Sequence, residues 1–244
     1  MNKILLIQNY LYYTTLFSEI IPLIFCILFF KKLNTRALKV FFIYSALLCF
    51  FSALSLISLK VLKNREFYFL VMRAFNIFEF SIIAYFLYQV IRNSIFKKVI
   101  LFSIPVFAIY AILDYMLSDK TQFNNHSHII SALGLILLII YFFYEKMKTV
   151  VMYPLYQSAT FWICVGFFLY FAGTFFFFLF IKSSKDADFK RQMNFIYGIV
   201  TISKNILLCL SLFANEQQEN IDDSLHIPSE INLDEFSLAN LKNS

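Results

Sequence analysis

Glycine is nearly missing from this 244-residue chain: four glycines, four prolines and four cysteines stand against thirty-three phenylalanines. Charge is scarce too, at 15% of residues, where soluble domains carry about 25%. A chain that is 60% hydrophobic and 20% aromatic is no soluble globular domain. Its length allows one polytopic domain with short loops and no separate soluble enzyme domain. The shortage of glycine and proline also weighs against the broken helices from which transporters build two matched halves. Cys26, Cys49, Cys164 and Cys209 lie inside apolar runs without C-x-x-C spacing. Such thiols behave as small hydrophobes, so neither a disulfide nor a metal site is expected of them.

Catalytic equipment is lacking as well. There is no H-E-x-x-H and no G-x-S-x-G, and every histidine is expected outside the helices. His126 and His128 fall in the stretch "SDKTQFNNHSH" with Asp119 nearby, which loop polarity explains more simply than a metal. The chain is therefore read as no enzyme, with no cofactor and no nucleic-acid partner. Its start, "MNKILLIQNYLYY", opens with Lys3 and a short apolar run. It then turns polar at Gln8 and Asn9 without a small-residue cleavage site, so it is kept in the mature chain.

What the chain does have is long apolar runs. A helix needs about 20 mostly apolar residues to cross the hydrocarbon core, and seven stretches approach or meet that: 10–30, 40–62, 67–91, 99–117, 129–145, 159–181 and 194–213. They lack in–out alternation and are roughly twice the length of a barrel strand, which excludes a β-barrel. The expected fold is all-α, a polytopic transmembrane bundle of about seven helices (residues 1–213), with six and eight as the alternatives. The short basic link "KNRE" at 63–66 fits a tight hairpin between the second and third helices. A bilayer is thus the first partner; the residues leave the oligomeric state open.

Orientation follows from lysine and arginine in the loops. With the N-terminus outside, nine basic residues fall on each side, so the plain count is even. The first loop, "KKLNTRALK", holds no acid, and early helices usually dominate. That favours a multi-pass protein of an inner, plasma-type membrane with the N-terminus outside and the C-terminus in the cytoplasm. Composition changes at Ala214. The tail 214–244 carries seven acids against one lysine, a composition expected to be disordered. Within it Ile227, Ile231, Leu233, Phe236, Leu238 and Leu241 punctuate the acids. Residues 227–241 are therefore a candidate docking helix for a cytoplasmic protein partner.

The informative residues are the charges inside the spans. An ionisable side chain at mid-bilayer costs about 2.5–3.5 kcal/mol on the lenient insertion scale, so it normally faces a partner or water. Glu19 in the first helix, Glu79 in the third and Lys204 in the seventh all land near the midplane. The third helix reads "VMRAFNIFEFSIIAYF", and Arg73, Asn76 and Glu79 form a slowly spiralling polar ridge at i, i+3, i+6. Arg73 lies about 9 Å along the axis from Glu79; it is expected to snorkel or to point inward. Tyr197, Thr201 and Asn205 keep Lys204's side of the seventh helix polar, and Ser18 and Pro22 flank Glu19. Lys204 is expected to meet Glu79, Glu19 or both, either as a staple between helices or as a ligand or ion-pair site. In the sixth helix Gly166, Tyr170 and Gly173 share one face, a groove for close packing.

Four segments, "SEIIPL", "RAFNIFEF", "FWICVGFFLYFAG" and "SKNIL", give the chain a resemblance over residues 10–213 to the uncharacterised seven-helix inner-membrane proteins of bacteria. Such bundles are similar to the membrane regions of some sensor kinases, and this chain carries no kinase domain. The resemblance implies a sensory or adaptor bundle acting through a separate partner. A small transporter or transport subunit with a mid-membrane polar site is the alternative. A retinal protein is the third reading and the least supported. Microbial rhodopsins have a lysine in the seventh helix and an aspartate one turn earlier, where Val200 stands here, and their retinal cage is rich in tryptophan, of which this chain has one.

Overall fold

The computed structural model describes residues 3–118, 125–148, 157–181 and 186–214. Within them the chain forms seven α-helices and no strand: α1 (Lys3–Leu28), α2 (Arg36–Lys60), α3 (Arg65–Val90), α4 (Ser94–Leu117), α5 (His126–Lys148), α6 (Ala159–Ile181) and α7 (Ala187–Ser211). All seven are long and apolar enough to cross a bilayer. The all-α membrane bundle expected from the sequence is the fold that forms. The tail docking segment at 227–241 and Asp119 lie outside the described residues.

Local chemistry sets where the helices begin. Thr35 accepts from Leu38 N ahead of α2, Asn64 from Phe67 N ahead of α3, and Asn93 from both Ile95 N and Phe96 N ahead of α4. Asp186 does the same for α7 through Asp188 N. Each satisfies an amide that the first helical turn leaves open. Glu145, near the end of α5, accepts from Arg92 N at 2.9 Å and Asn93 N at 2.7 Å, tying the α3–α4 link to the same face. In the tight α2–α3 link Lys63 takes a positive φ of 49°, a left-handed conformation that glycine adopts at no steric cost.

Helix ends differ from the apolar runs in instructive ways. Helix α1 begins at Lys3 and α7 at Ala187, each seven residues before its run, because a helix can continue past the hydrocarbon wherever its amides are bonded. Helix α5 begins at His126. His126 and His128 are therefore helical, and the expectation of histidine only outside the helices is corrected. Asn125 stands just ahead of that helix, and its Nδ2 donates to Phe178 O at 2.8 Å.

Neighbouring helices close into a ring in the order α1, α2, α3, α5, α6, α7 and back to α1, while α4 packs outside it against α3 and α5. Helix α4 buries few side chains, among them Ile100, Phe107 and Ala111. Glycine appears where two ring helices come closest. A Cβ at Gly173 would stand 2.7 Å from Val200 Cγ2, one at Gly198 would stand 2.8 Å from Leu11 Cδ2, and one at Gly166 would stand 3.5 Å from the Lys204 carbonyl. The sixth-helix groove is thus filled by α7.

Candidate functional site

The ring helices enclose a polar centre, to which α1, α2, α3, α6 and α7 contribute side chains. The residue expected to need a partner, Lys204, is almost completely buried. Its Nζ donates to Tyr44 Oη of α2 at 3.2 Å and lies 4.2 Å from the centroid of the Tyr170 ring of α6. Tyr44 in turn donates to Glu79 Oε1 of α3 at 3.3 Å. The result is a chain, Lys204 to Tyr44 to Glu79, that crosses from α7 through α2 to α3. Direct pairing of Lys204 with a carboxylate was the sequence expectation. Instead no carboxylate oxygen among the described residues comes within 4.0 Å of Nζ. A tyrosine hydroxyl sits between because one hydroxyl both accepts from an ammonium and donates to a carboxylate.

Aromatic packing holds the bridging ring. Tyr44 meets Phe167 edge-on with centroids 5.0 Å apart, and Phe167 meets Phe86 edge-on at 6.4 Å. One residue along α7, Asn205 Nδ2 donates to Ser18 Oγ of α1 at 2.9 Å. Pro22 of α1 lacks an amide for the Ser18 carbonyl, yet the helix runs through it unbroken.

Glu19 is not hydrogen-bonded to the lysine chain, although it lies close enough to feel the Lys204 charge. Its Oε2 accepts from Ser52 Oγ of α2, and its backbone carbonyl accepts from Cys49 Sγ. Among the described residues no hydrogen bond reaches its Oε1. Glu19 lies on the wall of a cavity of about 680 Å³ between α1, α2, α3, α6 and α7. Aromatic rings dominate the lining, including Tyr12, Phe51, Tyr68, Phe75, Phe177 and Phe195. The cavity runs from the end of the bundle where α1 begins to mid-depth, where Glu19, Tyr170 and Tyr197 border it. Tyr170 thus has the cavity on one side and the Lys204 ammonium over its ring.

Arg73 and Asn76 belong to a different neighbourhood. The Arg73 guanidinium is buried 4.9 Å from the Tyr115 ring of α4, so it faces α4 and does not snorkel. Asn76 Oδ1 accepts from Ser131 Oγ of α5 at 2.8 Å. Both terminal nitrogens of Arg73 and the Asn76 Nδ2 are buried without a hydrogen-bond partner. His128 stacks on Phe178 nearby, with centroids 4.7 Å apart.

The structure therefore brings Glu79 and Lys204 into one chain, places Glu19 on the adjoining cavity, sets Asn205 between α7 and α1, and turns Arg73 and Asn76 toward α4 and α5. Sequence reasoning missed Tyr44. It sits in the apolar run "FFIYSALL", where a tyrosine is unremarked, and only its depth, matching that of Glu79 across a short hairpin, could have pointed to it.

Fold and site together define a multi-pass helical membrane protein with a polar interior and an aromatic cavity reaching mid-depth. No family model matches the chain, and no curated protein and no solved structure matches it.

Proposed function

We propose that this chain is a sensory or adaptor bundle of a bacterial inner membrane, without enzymatic activity of its own. A small molecule enters its cavity, and a separate cytoplasmic protein, docked on residues 227–241, reads the result. The N-terminus lies outside and the tail in the cytoplasm, so the cavity opens outward. The observation that carries this reading is the placement of the cavity floor against the buried Lys204–Tyr44–Glu79 chain. An occupant pressing on Tyr170 alters the seat of Lys204. Lys204 reaches α2 and α3 through one hydroxyl, which gives the bundle a way to change its packing on the far side.

Comparing what co-purifies from native membranes with the full chain and with a chain ending at Ala214 tests the reading. A cytoplasmic protein retained by the first and lost from the second is expected, and its amount should change in Tyr44→Phe. If truncation changes nothing that is bound, the adaptor reading is wrong.

A small transporter is the second reading, favoured by the mid-depth position of the polar centre. It requires Ser52→Cys to be labelled by a membrane-impermeant thiol reagent from both faces. Labelling from one face alone keeps the sensor.

A further inference from the structure

The cavity described above has one carboxyl group on its wall. Among the described residues that line it, Glu19 is the one carboxylic acid, and no lysine or arginine joins it. Elsewhere at mid-depth the charges are already assigned. Lys204 is joined to Glu79 through Tyr44, and Arg73 faces Tyr115 on the α4 side. Glu79 reaches Lys204 through Tyr44, while Glu19 feels the same ammonium only across space, without a hydrogen bond to it, and Glu19 is the carboxylate at the cavity.

The open oxygen matters. Glu19 Oε2 is held by Ser52, which fixes the carboxyl group, while no hydrogen bond among the described residues reaches Oε1. An acceptor so held and left free is matched by a donor that brings positive charge. The approach favours the same sign, because the faces of aromatic rings carry negative charge and attract cations. Tyr12, Tyr68, Phe195 and Tyr197 stand along the way from the mouth to Glu19. Apolar residues fill most of the remaining wall, among them Leu16, Leu48, Phe51 and Val71. A volume of about 680 Å³ lies within the roughly 300–1,000 Å³ typical of small-molecule sites. From Tyr12 to Glu19 the depth along α1 is about 10 Å.

We infer that the cavity takes an amphiphilic amine, with its ammonium on Glu19 Oε1 and its apolar body against the aromatic walls toward the mouth. This rests on the reading of the cavity as a ligand site. In the occupied state the ligand's ammonium complements Glu19 as Lys204, through Tyr44, complements Glu79. Glu19 is here a binding residue and carries no chemistry.

The test uses the purified full-length protein in lipid nanodiscs and three probes of one chain length, octylamine, octanol and octanoate. Thermal unfolding is followed by the fluorescence of Trp162. Octylamine should raise the midpoint in a saturable way, octanol less and octanoate least. Glu19→Gln should weaken the response to octylamine at least tenfold and leave that to octanol unchanged. If Glu19→Gln does not accumulate, Glu19→Asp, which keeps the charge but shortens its reach, should show the same selective loss in smaller degree. Ser55→Trp, which fills the cavity away from the carboxylate, should abolish the response to all three. Equal stabilisation by octanol or octanoate, or an amine preference undiminished in whichever Glu19 variant accumulates, overturns the amine while leaving the cavity a ligand site. No saturable response to any probe overturns both.

Discussion

Removing the Tyr44 hydroxyl is the sharpest way to question the buried chain. In Tyr44→Phe the ring and its contact with Phe167 remain, and the bridge between Lys204 and Glu79 is lost. Leaving buried polar groups without their partner costs about 1–3 kcal/mol, and thermal stability in detergent should fall accordingly. Lys204→Met and Glu79→Gln should each cost more, up to about 3–5 kcal/mol for a buried charge deprived of its counterpart. Together they should cost less than their sum, by more than the roughly 0.5 kcal/mol that separates additive from coupled sites. An additive pair would dissolve the chain as an energetic unit. Arg73→Met is expected to behave in the opposite way. Its two terminal nitrogens have no hydrogen-bond partner, so replacing them with an apolar side chain of similar length removes an uncompensated desolvation cost. The midpoint should hold or rise despite the lost contact with Tyr115, and a large fall would mean that the guanidinium has a partner. These residues also mark the limit of reading the sequence. Glu19, Glu79 and Lys204 are conspicuous because charge in an apolar run has to be explained. Tyr44 is not, because tyrosine is as much an apolar ring as a polar group.

Among the elements, α6 and α7 fit most intimately, and glycine is the reason. Gly173→Ala places a methyl 2.7 Å from Val200 Cγ2, and valine's branched side chain has little freedom to give way. The two helices must separate, at a cost of about 1–3 kcal/mol, which is measurable as a lowered midpoint in detergent. Gly166→Ala should be milder, since its nearest neighbour stands at 3.3 Å; the reverse order would place the tight seam elsewhere. The shared face of Gly166, Tyr170 and Gly173 was legible because spacing alone puts those residues together. The position of α4 was not. Its run is as apolar as those of its neighbours, and a helix clothed in apolar residues on every side gives no sign of which side meets protein. On α3, Glu79 marks the face that meets the ring interior, while Arg73 and Asn76 of the same ridge meet α4 and α5. The charged residues of α4, Lys97, Lys98 and Asp114, lie near its ends.

For the whole molecule, seven crossings put the start of α1 and the end of α7 on opposite faces. The apolar runs sufficed for that count, while the loops, with equal numbers of basic residues on either side, sufficed less well for its sign. Closure of the ring has a consequence for how the protein is made. Helix α7 has the lowest mean hydropathy of the seven spans and carries a lysine at its centre, so alone it is a poor candidate for release into lipid. The groups that receive that lysine, Tyr44, Glu79 and Tyr170, are all synthesised before it. The last span is therefore expected to enter the bilayer only against a scaffold that is already assembled, and its insertion checks the helices that precede it. A reporter fused after Ala214 should lie on the same face as one placed within residues 31–39. In Tyr44→Phe/Glu79→Gln a fraction of the molecules should strand it on the other face, with Lys204→Leu restoring uniform insertion. Uniform insertion in the double variant would mean that α7 crosses unaided. Where the tail comes to rest would then report, molecule by molecule, whether the interior had been built correctly.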